Sequence, residues 1–371
     1  MTLRIGLDAR CLNTGFIRGM GEYVSAIASR IQAGGDVDWV FYGARPDLAF
    51  HRPDGCEAAK LVLADIPGDR FKTWEQLALP ALALRDRRQV LHCTATTLPL
   101  WQPVPTVVTI HDTIPWDTGE FLPPGFYRDR LLPLAYRRCA AVITISEHSK
   151  RDILRLWPAL APKVRVIPHG VDDGFLTQTP GALPPELAAR GIAGPYVLYV
   201  GGTTARKRLD WAIALHGALS NPGVQLVVCG VPQSAHAGHI EALPPALRAQ
   251  VVFTPFLPAE TMPALYQNAL VVLYPTLYEG FGFPALNAQA AGTPVLMSHV
   301  SSLVELAGPG SIALDPSDEA AWLEAYRATV AHRLMAPAPN LQSRAWANRF
   351  DWAHSAQAHR AVYQEAAKQP G

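Results

Sequence analysis

Glu279 is the one carboxylate in a glycine-rich turn, Glu279-Gly280-Phe281-Gly282-Phe283-Pro284, that follows an apolar strand over 270–274. Pro284 suits the first position of a helix, because it has no N–H to lose and its φ is preset. Ala, Leu, Asn and Gln carry that helix to Gly292, a residue type suited to C′, and a strand over 294–297 follows. Glycines at a helix N-terminus bring unpaired N–H groups and the positive end of the helix dipole to whatever lies above the sheet; an anion is the natural guest. A second run, Gly201-Gly202-Thr203-Thr204-Ala205-Arg206-Lys207-Arg208, lies between a strand over 196–200 and a helix over 209–219. Arg meets a diphosphate through a fork and Lys as a point charge; the plainer reading is a solvated basic run. His111-Asp112 ends a strand over 106–110, and ligands of open α/β sheets bind at strand C-termini. A lone His there is more often structural. Gly19-Met20-Gly21 lies between a first strand (3–9) and a helix (21–31). It is another anion-friendly mouth, but it lacks the third glycine of a dinucleotide fingerprint.

These residues need a scaffold, and the apolar pattern supplies one. Strands over 37–42, 60–64, 89–93, 141–145 and 164–167 alternate with helices over 71–84 and 147–157, the latter N-capped by Ser146. The segment 124–138 mixes Arg128, Arg130, Arg137 and Arg138 with Phe126, Tyr127 and leucines, interrupted by Pro133. It reads equally as a basic aromatic helix for an anionic membrane surface and as a solvated helix packed by its leucines. A Pro-, Gly-, Ala- and Thr-rich linker, 173–195, precedes a second alternation: strands over 196–200, 224–229, 251–254, 270–274, 294–297 and 311–314, and helices over 209–219, 237–249, 259–268 and 317–332. A last helix runs to about 368.

With 371 residues, two domains are the natural expectation. A hydrophobic fraction of 49% against 17% charged is globular. A net charge of +1 argues against nucleic-acid binding by global charge and leaves room for local basic pockets. The five cysteines are scattered, without a CxxC or His/Cys cluster, so neither a disulfide framework nor zinc is indicated and a reducing cytoplasm fits. The chain is read as carrying no signal peptide and no apolar run near the ~20 residues of a membrane helix.

EGFGFPAL followed by a small-residue helix and GTPV closely resembles the donor-site signature of the family-four (group-one) retaining glycosyltransferases. The loop DAR…RGMGEY, the HDTIP element, SEHSK, VIPHGVD and the GGTTARKRL run resemble that family's elements in the same order, over nearly the whole chain. Two departures stand out. The signature's second Glu falls on Asn287, and His169 stands where many relatives carry Asn. The resemblance implies α/β architecture of the GT-B type: two Rossmann-like doubly wound parallel-sheet domains facing across a cleft. It divides the chain into 1–175 on the acceptor side, 176–350 for the nucleotide sugar, and 351–371 as a helix crossing back.

It further implies Glu279, His111 and Asp112 as catalytic. Glu279 would hold donor-sugar hydroxyls, His111 would lie near the transferred sugar, and Asp112 would orient His111 or face the acceptor. Donor binding would fall to Arg206, Lys207, Gly19, Gly21, Gly202, Phe281, Gly282, Phe283 and Asn287. No DxD-type pair stands in a convincing context, and two cations and two helix N-termini supply the charge a leaving diphosphate needs. Metal-independent transfer without a cofactor is therefore expected. The reaction is retaining transfer of a hexose, mannose from GDP-mannose, to a saccharide or lipid-linked acceptor in cell-surface polysaccharide synthesis. Location is expected in the cytoplasm, with peripheral contact to the inner face of the plasma membrane and no nucleic-acid partner. Asn287 offers one acceptor oxygen where a carboxylate pair is usual, a loss of about 1–3 kcal/mol of donor affinity. Two other readings are a partner subunit weakened at Asn287 and a nucleotide-sugar-modifying enzyme on the same fold.

Overall fold

The computed structural model describes residues 2–15, 17, 19–66, 70–177 and 183–369. The chain divides into two compact units, 1–170 with 351–371, and 171–350. Arg18 of the glycine loop and residues 178–182 of the expected linker lie outside the described residues. The linker's described parts hold two short helices, Asp173–Thr177 and Pro185–Ala188.

The first unit is built on β1 (Leu3–Asp8), β2 (Val37–Gly43), β3 (Lys60–Leu63), β4 (Val90–Cys93), β5 (Thr106–Thr109), β6 (Ala141–Thr144) and β7 (Val164–Val166). All their pairings are parallel, in the order β3-β2-β1-β4-β5-β6-β7. The second unit has β8 (Tyr196–Val200), β9 (Gln225–Cys229), β10 (Val251–Thr254), β11 (Val271–Tyr274), β12 (Val295–Ser298) and β13 (Ser311–Leu314). Its order, β10-β9-β8-β11-β12-β13, is again parallel throughout. Both sheets are doubly wound, and strand order reverses between β1 and β4 and between β8 and β11. Ligands of such sheets bind beyond the strand C-termini at that reversal.

The central strands are covered on both faces, so they read as continuous apolar runs instead of alternating ones. Leu91, Val108, Val142, Trp74 and Tyr136 share one core, and Val197, Leu226, Leu273, Leu296 and Trp322 the other. Each of the fully buried leucines and valines among them stabilises by roughly 1.5–3 kcal/mol.

Most helices follow the sequence pattern. Ser146 caps Glu147–Leu156 by accepting the Ser149 N–H, and Gly292 closes Phe283–Ala291 at φ 74°. Four expectations need correction. Pro284 is the second helical residue, because Phe283 already has helical geometry. The helix expected over 71–84 is wound as a π-helix over Arg70–Ala78 before turning α over Leu79–Arg85; this wider turn is where Glu75 enters the core. The one expected over 237–249 ends at Ala242, because Pro244-Pro245 cannot continue it and starts a 3₁₀ turn. The segment 124–138 is a π-helical stretch, Tyr127–Leu131, that continues through αR residues into Leu132–Arg138, so Pro133 does not interrupt it. The helix Leu341–Ala347, capped by Asn340, was not expected.

Candidate active site

In the second unit the loops after β8 and β11 bring Arg206, Lys207 and Glu279 together at the strand-order reversal. Arg206 donates from Nη1 to Glu279 Oε1 at 3.1 Å and to the Tyr278 carbonyl at 2.9 Å. Lys207 Nζ reaches the same Oε1 at 2.5 Å, and the Thr276 hydroxyl donates to it at 2.8 Å. Lys207 also lies 3.2 Å from Tyr274 Oη. The three charged side chains are 10–15% exposed, so the pairing is much less screened than at a free surface. Burial, with Glu279 alongside, pushes the Tyr274 phenol well up, so it is a neutral donor.

The local chain explains the convergence. Leu277 N–H donates to the Arg206 carbonyl at 2.8 Å, tying one loop to the other. Glu279 N–H donates to Ser301 Oγ, and the Ser302 hydroxyl spans the carbonyls of Glu279 and Phe281, each at 2.8 Å. Gly282 has φ 119°, and a Cβ there would lie 2.4 Å from Leu303 Cδ2, so no other residue fits that turn. Of three consecutive cations the third, Arg208, turns away: it donates to the Pro316 carbonyl and lies 4.4 Å over the Trp211 ring. Gly202, at φ 113°, has its carbonyl held by Tyr199 Oη at 3.1 Å. The Phe281 ring is buried against Phe283 and Phe350, which leaves only its backbone for a ligand. Asn287 is half-buried one turn inside the helix Phe283–Ala291.

In the first unit Gly19 opens the helix Gly19–Ala33. A Cβ on Gly21 would meet the Cys11 carbonyl at 3.0 Å, so the helix start packs against the loop after β1. His111 follows β5. Its Nε2 donates to the Thr94 carbonyl at 2.9 Å, since a carbonyl only accepts, and Nδ1 is left as the acceptor. Burial pulls its pKa down to about 4, against the Thr94 bond that opposes the shift. The Tyr23 ring meets the imidazole edge-on with centroids 5.2 Å apart, and His169 lies 5.7 Å away. Asp112 accepts the Ile114 N–H at 3.0 Å, two residues on, just ahead of the short helix Ile114–Asp117 whose N-cap is Thr113.

Sequence reasoning missed a buried charged cluster at the end of β1. Arg10 pairs with Asp8 at 2.6 Å and Glu75 at 2.5 Å, and its guanidinium lies 5.0 Å over Trp74. Thr97 and Tyr127 donate to Glu75 at 2.5 and 2.7 Å. Burial alone would depress the Arg10 guanidinium, but the two carboxylates outweigh it and hold it well above its ordinary range. The signal was Asp8-Ala9-Arg10, two charges at the end of a buried strand. Thr276, Tyr274, Ser301 and Ser302 were also missed; ordinary hydroxyls carry no mark in a sequence. Among the described residues no cluster of three or more His, Cys, Asp or Glu could hold a metal, and no helix is long and apolar enough to cross a membrane.

Two family descriptions match the chain: Glycosyltransferase Family 4 over residues 17–175 and Glycosyl transferases group 1 over residues 192–345. Among curated relatives, the O-antigen chain mannosyltransferase RfbU of Salmonella typhimurium is 26% identical, covering 68% of this chain and 67% of that protein. The O-antigen chain mannosyltransferase B of Escherichia coli is 26% identical over 57% of this chain and 58% of its own length. The alpha-maltose-1-phosphate synthase of Mycolicibacterium smegmatis is 27% identical over 94% and 95%. Among solved structures, sucrose-phosphate synthase from Thermosynechococcus elongatus superposes with TM-score 0.77 at 21% identity, over 98% of each chain. Anabaena HepE, solved with UDP and glucose, gives 0.75 at 16%, over 98% of this chain and 100% of its own. At such identities the likeness is one of fold, the two-Rossmann-like GT-B fold.

Proposed function

Because the chain belongs to the group 1, family 4 glycosyltransferases, we propose that it moves a hexose, mannose from GDP-mannose, onto a saccharide or lipid-linked acceptor with retention of anomeric configuration. The observation that carries the donor site is the convergence of Arg206, Lys207 and Glu279 at the strand-order reversal of the second unit. The UDP held by HepE supports a nucleotide-sugar donor, and the two O-antigen mannosyltransferases support mannose and a polysaccharide acceptor.

As the glycosidic bond breaks, charge develops on the departing diphosphate. Arg206 and Lys207 meet it and supply the positive charge that a metal would otherwise bring. To do so they exchange Glu279 for phosphate oxygens. The freed carboxylate accepts hydroxyls of the donor sugar and stabilises the oxocarbenium-like centre. The acceptor hydroxyl attacks from the face the diphosphate leaves and passes its proton to a leaving phosphate oxygen. His111, neutral near pH 7, contributes a hydrogen bond without adding charge. Gly202 and the backbone of Phe281, Gly282 and Phe283 line the phosphates and sugar in the second unit, and Asn287 takes one ribose hydroxyl.

We assign the enzyme to the cytoplasmic side, peripheral on the inner face of the plasma membrane. The segment 121–138 supports this, presenting exposed Phe121, Phe126 and Leu134 beside exposed Arg130, Arg137 and Arg138. Flotation with anionic vesicles but not with zwitterionic ones is the expected result. The donor test is ligand-observed NMR against GDP, UDP, TDP and ADP and their sugars, repeated with Arg206→Ala and Lys207→Ala. Binding of one nucleotide that is lost in both variants supports the site. Asn287 favours one other reading, a non-catalytic partner subunit, and absence of binding at millimolar ligand would favour it.

A further inference from the structure

A chain of buried hydrogen bonds runs behind His111, and its direction can be derived. The Ser355 carbonyl can only accept, so His359 Nδ1 donates to it at 2.7 Å. His359 is fully buried and its pKa is drawn down to about 4, so it is neutral and Nε2 is bare. The Tyr23 hydroxyl therefore donates to Nε2, at 2.7 Å across 336 residues of sequence. Its one proton is spent, so Tyr23 Oη accepts from Thr109 Oγ1 at 2.8 Å. Thr109 in turn accepts from His92 Nε2 at 2.8 Å. That leaves His92 Nδ1 bare, and it accepts from Tyr363 Oη at 2.8 Å. Each of the two linking hydroxyls, Tyr23 and Thr109, donates once and accepts once, and in the other sense the carbonyl at the end would have to donate. Such a chain is cooperative and admits one arrangement.

The chain fixes the Tyr23 hydroxyl from the C-terminal helix Trp352–Ala366 on one side and from β5 on the other. The Tyr23 ring is at the same time the perpendicular neighbour of His111, and it packs against His169 at 4.9 Å. Among the described residues the other neighbours of the His111 ring are the Thr94 carbonyl, bonded to Nε2, and the tilted His169 ring 5.7 Å away; one hydrogen bond leaves an imidazole free to swing about it. We propose that Tyr23 is a positioning residue for His111, and that the C-terminal helix sets the tilt of the Tyr23 ring through His359. This rests on the reading that His111 faces the donor sugar.

The test combines ¹⁵N-histidine NMR of the ligand-free chain with turnover of whichever nucleotide sugar the donor panel selects. The wild type should show His111 protonated at Nε2 and bare at Nδ1. Tyr23→Phe, which keeps the ring and drops the hydroxyl, should shift or broaden the His111 signals. It should lower kcat about ten- to a hundredfold and leave donor KM within about twofold. In a His111→Ala background Tyr23→Phe should lower kcat no further, because the two act as one unit. Unchanged His111 signals, or an equal loss of kcat in both backgrounds, would overturn the proposal. If His111→Ala retains full turnover, the reading of His111 fails and takes the proposal with it; if His111→Ala is inactive and Tyr23→Phe is fully active, only the proposal fails. Should Tyr23→Phe not fold, His359→Ala and His359→Gln replace it. The Gln carbonyl can still accept the Tyr23 hydroxyl, so kcat should drop in the first and largely return in the second. Equal kcat in the two would overturn the proposal.

Discussion

The polar groups around Glu279 in the second unit and those behind His111 in the first follow different electrical plans. In the second unit the cluster is ionic: two cations share one carboxylate, all partly reachable by solvent. In the first unit the chain behind His111 is neutral, made of imidazoles, phenols and a threonine, buried and satisfied in one sense only, and the ionic cluster of Asp8, Arg10 and Glu75 forms no link of it. An ionic cluster can exchange partners at modest cost, because an incoming diphosphate replaces the carboxylate it displaces. A neutral chain with one arrangement cannot exchange anything; it can only hold a group in place. The first plan suits a site that must take up and release charge, the second a site that must present one side chain at a fixed angle.

The strongest way to break this contrast is Glu279→Ala. If the carboxylate both serves the sugar and occupies the cations at rest, its loss should separate turnover from binding. We expect kcat to fall at least a hundredfold, about 3 kcal/mol of transition-state stabilisation. Nucleoside diphosphate should bind no more weakly than to wild type by calorimetry, since Arg206 and Lys207 no longer have a competitor. Loss of both together would mean that Glu279 only braces the loop.

Acid should separate the units next. Burial lowers the pKa of His92, His111, His169 and His359 in the first unit, and of His216 in the second. For His359 and His216 the shift is from 6.5 to about 4. Above pH 6.5 both the folded and unfolded forms are neutral and the stability is intact. Between 6.5 and 4 only the unfolded chain takes up the proton, so stability falls as pH falls. For fully buried His359 the loss is on the order of 3 kcal/mol once pH is below 4. Hydrogen exchange at pH 7 and pH 5 should show the first unit loosening ahead of the second. Equal loosening would show that the imidazoles do not dominate its acid response.

A smaller effect is expected from Lys207→Ala. A charge-assisted contact to phosphate contributes about 1.5–3 kcal/mol, so the Kd for the diphosphate should rise ten- to a hundredfold. Its salt dependence should also weaken. A Kd unchanged by the substitution would make Lys207 a loop brace for Glu279 and nothing more.

Much of this was legible in the sequence, for physical reasons. Parallel strands covered on both faces leave continuous apolar runs, and glycine turns beside Arg206, Lys207 and Glu279 mark the loops at the second sheet's reversal. What was illegible depends on distance along the chain. Nothing in Tyr23 announces His359, and nothing in Glu75 announces Arg10, until the sheet order brings their elements together. Thr276 and Ser302 act by one hydroxyl each and look like any other. The π-helical winding over Arg70–Ala78 escaped because its residues have ordinary helical propensity; its visible correlate is the buried Glu75 carboxylate, which only the fold reveals.

The smallest expected change bears on Asn287, where the ionic plan is incomplete. The helix Phe283–Ala291 places Asn287 one turn beyond the Gly282 cap, half-buried, at the position of the second carboxylate in the motif it resembles. One amide oxygen accepts where a carboxylate would accept twice and with charge. On the proposed reading, in which this position meets the ribose, Asn287→Glu supplies a charged acceptor, and we expect nucleotide affinity to rise by up to about tenfold, roughly 1.4 kcal/mol, close to the lower end for charged hydrogen bonds. The added charge lies in a unit where Arg206 and Lys207 currently share one carboxylate, so its field should not repel the diphosphate outright. The comparison to make is a nucleoside diphosphate against its 2′,3′-dideoxy analogue. A gain confined to the nucleotide with ribose hydroxyls would assign the contact. An equal gain for both would mean that the charge acts on the cations instead, and a loss for both would mean that this chain has rebuilt its ribose contact around the amide.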